Sequence, residues 1–447
     1  MSGIAGCTRP GARGDVELML ARITHRGPAG HDVCETEGAT LGVAWTGPQA
    51  AAAQVLQTEQ VAQDCAGAGR LARAVAGAAG LALTRDPLGV APLYFARTDD
   101  GAVCFASEVK ALLPISRNVH CLPPGHSHDG TGLHAYFRLA KQPDLASRPH
   151  LIAQELLHRL TAAVQECVNG GETGCWLSGG LDSSVMAALA RPEVSRLHTF
   201  AAGLAGAADL EYARHVARFI RADHHEVIVS FDQMLAVLPT VIYHLESFDA
   251  LLVRSSIINY LVGRAAADYV PAVLSGEGGD ELFAGYAYLK QLGPAVLADE
   301  LLDITQRLHN TALQRVDRCS TAHGLVAHVP FLAPEVVDYA LRIPVEDKLR
   351  NNVEKWILRR AMAGRLPSAV LRRTKAKFWA GAGVGDLLAQ HAESQVSDSD
   401  FRRQRRLENG LHVHTKEELM YYRIFHEHFG DFADLGWMGR TKGAPRA

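Results

Sequence analysis

The sequence is most informative at first for what it does not contain. No Cys-x-x-Cys pair occurs among its eight cysteines (7, 34, 65, 104, 121, 167, 175 and 319). A zinc cluster and a dithiol redox motif are therefore unsupported, and the thiols read as buried and reduced. No apolar run reaches membrane-spanning length, and the N-terminus has no basic stretch followed by an apolar one, so a cytoplasmic location is expected. The formal net charge is only −3, so neither nucleic acid nor a membrane surface is an expected partner. A G-x-x-x-x-G-K-[ST] phosphate loop is also missing. What remains is an ordinary globular composition, 48% apolar and 21% charged, in a chain of 447 residues that is long enough for two domains.

One stretch organises the rest. Ser178-Gly179-Gly180-Leu181-Asp182-Ser183-Ser184 follows the apolar Cys175-Trp176-Leu177 and precedes the helix-forming run from Val185 to Ala190. This reads as strand, glycine turn and helix. Adjacent glycines allow a tight turn and close approach of a ligand, while converging backbone N–H groups and a helix N-terminus favour an anion. Asp182 has no direct attraction for phosphate, so Mg²⁺ is its natural partner there. The plain alternative is a Gly-Gly turn whose serines cap a helix. The loop resembles the S-G-G-x-D-S pyrophosphate loop of ATP pyrophosphatases, which split ATP to AMP and pyrophosphate.

Along the chain, a helix is expected from Asp15 to Ile23, ended by Thr24-His25-Arg26-Gly27-Pro28. Residues 59–82 are Ala- and Gly-rich and support no assignment. The runs Leu83 to Phe95, Val103 to Leu113 and Leu122-Pro123-Pro124-Gly125-His126 predict two strands with turns and a helix start. Residues 139–150 read as a linker. From Leu151 onward helical periodicity sets in. Strands at 175–177, 198–203, 226–229 and 270–274 then alternate with helices at 209–221, 231–244 and 254–267. That alternation predicts a doubly wound parallel sheet with its ligand at the strands' carboxyl ends. After the fourth strand comes Ser275-Gly276-Glu277-Gly278-Gly279-Asp280-Glu281-Leu282-Phe283-Ala284-Gly285-Tyr286. Its acids among glycines at a strand end call for a cation.

Together these runs resemble the asparagine synthetases, members of the class II glutamine amidotransferases. S-G-E-G-x-D-E-L-F-x-G-Y is a signature of that family, and Val329-Pro330-Phe331-Leu332 and Glu354-Lys355-Trp356-Ile357-Leu358-Arg359 agree with it. The resemblance implies an α/β protein in two parts. Residues 1–138 would form a shortened, degenerate N-terminal-nucleophile (Ntn) hydrolase αββα sandwich, 139–150 the linker, and 151–440 an ATP-pyrophosphatase-type synthetase domain. It also implies that Ser178, Gly179, Gly180, Asp182, Ser183 and Ser184 hold pyrophosphate. Trp176, Leu177, Ala202, Ser275 and Gly276 would line the adenosine pocket, Asp182 and Asp280 would bind Mg²⁺, and Arg254 would grip the substrate carboxylate. Lys375 would neutralise charge on the α-phosphate and Glu277 would take a proton from the attacking amine.

Departures from the family pattern qualify this. Ser2 stands where the glutaminase nucleophile is Cys, and Ala29 replaces an acid. The glutamine-binding loops expected between residues 40 and 80 have no counterpart, so glutaminase activity is expected to be lost. Leu251 and Leu252 replace two threonines before Arg254. Val326, His328 and Ala333 replace a Glu, an Arg and an Asp, and Ala376 replaces an acid beside Lys375. The expected activity is ATP-dependent adenylation of a carboxylate less polar than aspartate, followed by amide formation with ammonia or a substrate amine. True asparagine synthesis from aspartate and ammonia, an internal amide cyclase of the β-lactam synthetase or lasso-peptide cyclase kind, and a non-catalytic nucleotide-binding relative stay open. A homodimer and a separate ammonia donor stay open as well.

Overall fold

In a computed structural model the described residues are 2–46, 60–64, 71–78, 80–374 and 381–442. Eleven strands precede residue 136: β1 (Ser2–Cys7), β2 (Gly30–Glu35), β3 (Thr40–Trp45), β4 (Gln60–Asp64), β5 (Leu71–Gly77), β6 (Gly80–Arg85), β7 (Tyr94–Arg97), β8 (Val103–Ala106), β9 (Val119–Cys121), β10 (His126–His128) and β11 (Leu133–Ala135). They form two antiparallel sheets, ordered β2-β3-β1-β8-β7-β9 and β11-β10-β6-β5-β4. Ile4, Leu41, Val43, Val61, Leu83, Phe95 and Phe105 fill the space between them. The other face of the first sheet, with the helix Arg13–Ala21, joins the main core that continues into the second half. Asp86 shows why the Arg-Asp-Pro-Leu-Gly run is structural. Its buried carboxylate accepts backbone N–H bonds from Leu88, Val90 and Ala91 at 2.9–3.1 Å, so it holds its own loop.

A helix at Pro149–Gln165 opens the second half. Strands β12 (Glu172–Trp176), β13 (Arg196–Gly203), β14 (Asp223–Ile228), β15 (Ala272–Leu274) and β16 (Val326–His328) form a fully parallel sheet in the order β14-β13-β12-β15-β16. Helices Leu181–Ala190, Ala208–Ile220, Phe231–Leu245 and Ala250–Ala266 connect its strands. Their starts follow from sequence. Ser230 and Gln233 make a reciprocal capping box, and Asp249 Oδ1 accepts the Leu252 N–H at 2.9 Å. Because β12 has β13 on one side and β15 on the other, the strand order reverses there, and the carboxyl end of β12 is where such a sheet binds its ligand. No single helix among the described residues is long and apolar enough to cross a membrane.

A buried ion cluster joins the two halves. The Arg26 guanidinium donates to both oxygens of Asp317 at 2.8 Å and to Glu108 at 2.7 Å. Arg318 reaches Asp317 at 2.8 Å and Glu246 at 3.2 Å, while Lys110 pairs with Glu108 and Glu246. Burial alone would raise the Glu108 carboxyl, but His25, Lys110 and Arg318 around it hold it well below the usual range. Arg26→Leu, which leaves two buried carboxylates short of a partner, is expected to cost about 3–5 kcal/mol in chemical unfolding.

His244 packs edge-on against His25 with ring centres 4.6 Å apart, and burial, then the Lys110 charge, push its pKa down from 6.5 to about 3. The fold therefore keeps it neutral while the unfolded chain protonates it. This contribution is fully present above pH 6.5 and is lost as the pH falls from there towards 3. Thermal melts between pH 7.5 and 5 should show a loss of about 2 kcal/mol from this residue, and His244→Phe should flatten that part of the slope.

Candidate active site

A cavity of about 680 Å³ opens at the carboxyl ends of β12, β13 and β15. Trp176, Leu177, Phe200, Ala201 and Ala202 form one apolar wall. The Trp176 indole N–H is buried there without a hydrogen-bond partner among the described residues. Next to this wall lies the serine-glycine loop. Ser178 N–H donates to Ser183 Oγ at 3.2 Å, the two hydroxyls are 3.1 Å apart, and Gly180 N–H points to Ser178 Oγ at 3.4 Å. Gly179 has φ +69°, and a Cβ there would lie 2.4 Å from the Tyr212 side chain, so only glycine fits. Ser178, Gly180, Asp182 and Ser183 line the cavity, whereas Ser184 is fully buried beneath the loop.

The acidic-glycine loop after β15 closes onto this one. A Cβ on Gly276 would stand 2.9 Å from the backbone of Asp182 and Ser183, and one on Gly279 would stand 2.6 Å from Asp182 Oδ1. Asp182 and Asp280 each approach Lys355 Nζ at 2.5 Å. A Cβ on Gly285 would fall 1.9 Å from Asp280 and 2.3 Å from Lys355 Cε, which explains the glycine of the G-Y pair. Lys355 is almost fully buried and has φ 55°, a left-handed conformation unusual for lysine. Glu277, Ser275 and Gly276 also line the cavity. Glu277 accepts from Arg315 at 2.5 Å.

Two carboxylates that converge on one cation, beside a phosphate-type loop, are the oxygen donors that Mg²⁺ bound to a nucleotide uses, with phosphates and water completing its shell. Among the described residues no group of three or more His, Cys, Asp or Glu side chains could hold a metal ion without such help. The pair therefore fits magnesium only together with a phosphate ligand.

Arg254 is arranged differently from the expectation. It is buried on the helix Ala250–Ala266, and its guanidinium is bound at 2.7 Å and by a second contact to Glu417 and at 3.2 Å to Asp386. Tyr421 donates to the same Glu417 at 2.8 Å. Arg254 does not line the cavity, and the contact that turns it away comes from a helix 163 residues further along the chain. Lys375 lies outside the described residues, as do Ala376, Cys65 and much of the 40–80 region where glutamine-binding loops were sought. The flanks of Lys375 are placed, however. Arg373 pairs with Asp209 and reaches the Ser178 carbonyl at 3.5 Å, while a Cβ on Gly381 would lie 2.3 Å from the Asp209 carboxylate. Both flanks therefore meet beside the serine-glycine loop.

Lys355, Arg315, Arg373, Arg307 and Lys442 carry no role in the sequence reading. Lys355 had a signal: it sits in the Glu354-Lys355-Trp356-Ile357-Leu358-Arg359 run and is the cation that Asp182 and Asp280 called for. The others had none, since each reaches the site through chain folding alone.

Such a sheet, loop pair and cavity suit a nucleotide, and similarity to known families makes the class an ATP-dependent amide-forming ligase. The asparagine synthase family profile matches residues 155–300 and 295–442, and a glutamine amidotransferase domain profile matches residues 59–154. Asparagine synthetase B (glutamine-hydrolysing) of Escherichia coli K12 is 35% identical over 372 residues, covering 77% of this chain and 67% of that protein. A probable glutamine-hydrolysing asparagine synthetase of Schizosaccharomyces pombe is 35% identical over 385 residues, covering 77% of this chain and 69% of its own. Among solved structures, an NMN synthetase from Francisella tularensis overlaps 64% of this chain and 98% of its own at 14% identity and a TM-score of 0.30, too low to assign anything by itself. The chain belongs to the asparagine synthase family, and it spans about two thirds of the length of the two synthetase relatives.

Lys355→Met leaves Asp182 and Asp280 facing each other at the cavity wall, and is expected to cost about 3 kcal/mol or more in a metal-free melt. Adding Mg²⁺ together with a non-hydrolysable ATP analogue should raise the melting temperature of the variant more than that of the parent. Equal shifts would show that the carboxylate pair is not where magnesium binds.

Proposed function

We propose that this chain joins a carboxylic acid to ammonia or a substrate amine at the expense of ATP, through an acyl-adenylate, and that it does not hydrolyse glutamine. The observation that carries the reading is the meeting of Asp182 and Asp280 on one cation between the two glycine loops, in the wall of a cavity with an apolar slot beside it. The slot of Trp176, Leu177, Ala201 and Ala202 suits the adenine, with the unpartnered indole N–H as a donor. Ser178, Ser183 and the N–H groups at the start of the helix Leu181–Ala190 suit the pyrophosphate.

A carboxylate oxygen of the acid attacks the α-phosphorus and pyrophosphate leaves. The amine then attacks the acyl carbon, AMP leaves, and Glu277 receives the proton released from nitrogen. Lys375, whose flanks meet at the serine-glycine loop, is assigned the charge that builds on the α-phosphate. Magnesium held by Asp182 and Asp280 would draw charge from the phosphates. Lys355 keeps those two carboxylates together and reduces their repulsion. Apolar walls keep water from the activated acid.

Two facts support loss of glutamine hydrolysis. Serine stands at position 2 in place of cysteine, and Arg26, which the family resemblance places where glutamine would bind, is committed to Asp317 and Glu108. The first half then serves as a cover for the second. The test is incubation with Mg·ATP, an acid panel that includes aspartate, and either ammonium or glutamine. AMP and an amide are expected with ammonium and not with glutamine. Amide formed from glutamine would overturn the second part of the proposal, and nucleotide binding without AMP from any acid would overturn the first.

A further inference from the structure

The cavity's far side is built by three helices, Ala250–Ala266, Pro294–Gln306 and Ala312–Thr321. From Ala250–Ala266 it receives Leu251, Leu252, Ser255, Asn259 and Val262. These fall on one helical stripe, and Arg254 lies off its edge, consistent with its turning away to Glu417. Facing them are Ile304, Ala312 and Arg315. Leu251, Leu252, Val262, Ile304 and Ala312 give the cavity an apolar stretch here, and Ser255, Asn259, Arg307, Thr311, Arg315 and Lys442 are its polar and charged lining. A small, doubly charged amino acid would lose hydration against Leu251 and Leu252, whose side chains offer it no hydrogen bond, whereas an apolar chain loses none.

Arg315 enters this space from the helix Ala312–Thr321, and its partner on the cavity side is the Glu277 carboxylate at 2.5 Å. A carboxylate is what an arginine fork recognises, so Glu277 occupies the position that an acid substrate would compete for. Resting on the reading of this cavity as an acid-activating site, we propose that Arg315, and not Arg254, grips a carboxylate of the substrate. The substrate is an acid whose apolar chain lies between Leu251, Leu252 and Ile304, and its binding releases Glu277 from Arg315 to serve the amine. The acid thereby switches on the base only when it is in place. The sequence hides this because Arg315 and Glu277 lie 38 residues apart with a helix pair between them.

The probe is adipate, a dicarboxylate with a four-methylene chain, titrated calorimetrically into the full-length protein holding Mg²⁺ and α,β-methylene-ATP, with aspartate as comparison. Adipate should bind at least tenfold more tightly than aspartate. Arg315→Lys, which keeps the charge and loses the fork, should weaken adipate at least tenfold, and Arg254→Lys should change it less than twofold. Glu277→Gln, which removes the competitor, should tighten adipate about threefold or more. Tighter binding of aspartate, weakening by Arg254→Lys in place of Arg315→Lys, or an unchanged or weaker Glu277→Gln complex would each overturn the proposal. Nucleotide binding with no acid binding would overturn it alone. Failure of the nucleotide analogue to bind would overturn the ATP reading as well.

Discussion

The ammonium of Lys355, held between Asp182 and Asp280, is the contact on which the site depends. Asp182 starts the helix after β12, Asp280 lies in the loop after β15, and Lys355 comes from a turn that passes through left-handed backbone at Asn351, Asn352 and Lys355. Two carboxylates cannot be held this close in a largely buried wall without a positive charge. The charge sets the spacing of the two loops, and the glycines follow from the spacing: Gly276, Gly279 and Gly285 each lack the Cβ that would strike a neighbouring loop or the ion pairs themselves. Backbone strain at Lys355 is a cost retained where the surrounding contacts over-determine it.

The helix Ala312–Thr321 ties this site to the first half. Arg315 points into the cavity, while Asp317 and Arg318, two and three residues on, belong to the buried cluster around Arg26. Three cations (Arg26, Lys110, Arg318) balance three anions (Glu108, Glu246, Asp317) there, so the cluster tolerates burial while no member can be removed alone. Any shift of the first half therefore moves the helix that positions Arg315 and, through it, Glu277.

Much of this was legible from sequence because it rests on short runs. The strand-turn-helix around 178–184, the acidic loop at 275–286 and the parallel sheet came from local pattern and glycine placement, with element ends displaced by a few residues: β14 starts at Asp223 where 226 was expected, and the helix expected from Arg254 begins at Ala250 under its Asp249 cap. Strands β4 and β5 were not legible, and β6 was read only from Leu83 onward. Alanine and glycine there give no alternation between polar and apolar residues, and pairing across the sheet decides the structure. The site failed in the same way at Arg254. A carboxylate-binding arginine and an arginine locked to a buried glutamate look alike until Glu417 folds back onto it, and no local pattern announces a partner that far along the chain.

The first half is structurally necessary to the second. A relic domain with a polar, wet contact could drift away or be deleted. Here Arg26, from the segment that the family resemblance associates with glutamine, is fully buried and makes two parallel bonds to Asp317. Removing the half would leave Asp317, Arg318 and Glu246 exposed at a surface shaped for counter-charges, and would uncover the apolar face that Tyr94 shares with Trp437. Glu108 shows that the electrostatics favour the joined state, since its carboxyl is held charged in full burial by groups from both halves, His25 and Lys110 on one side and Arg318 on the other. The scaffold of a glutamine amidotransferase is thus retained for a physical reason, because the synthetase half cannot bury its own interface charges alone.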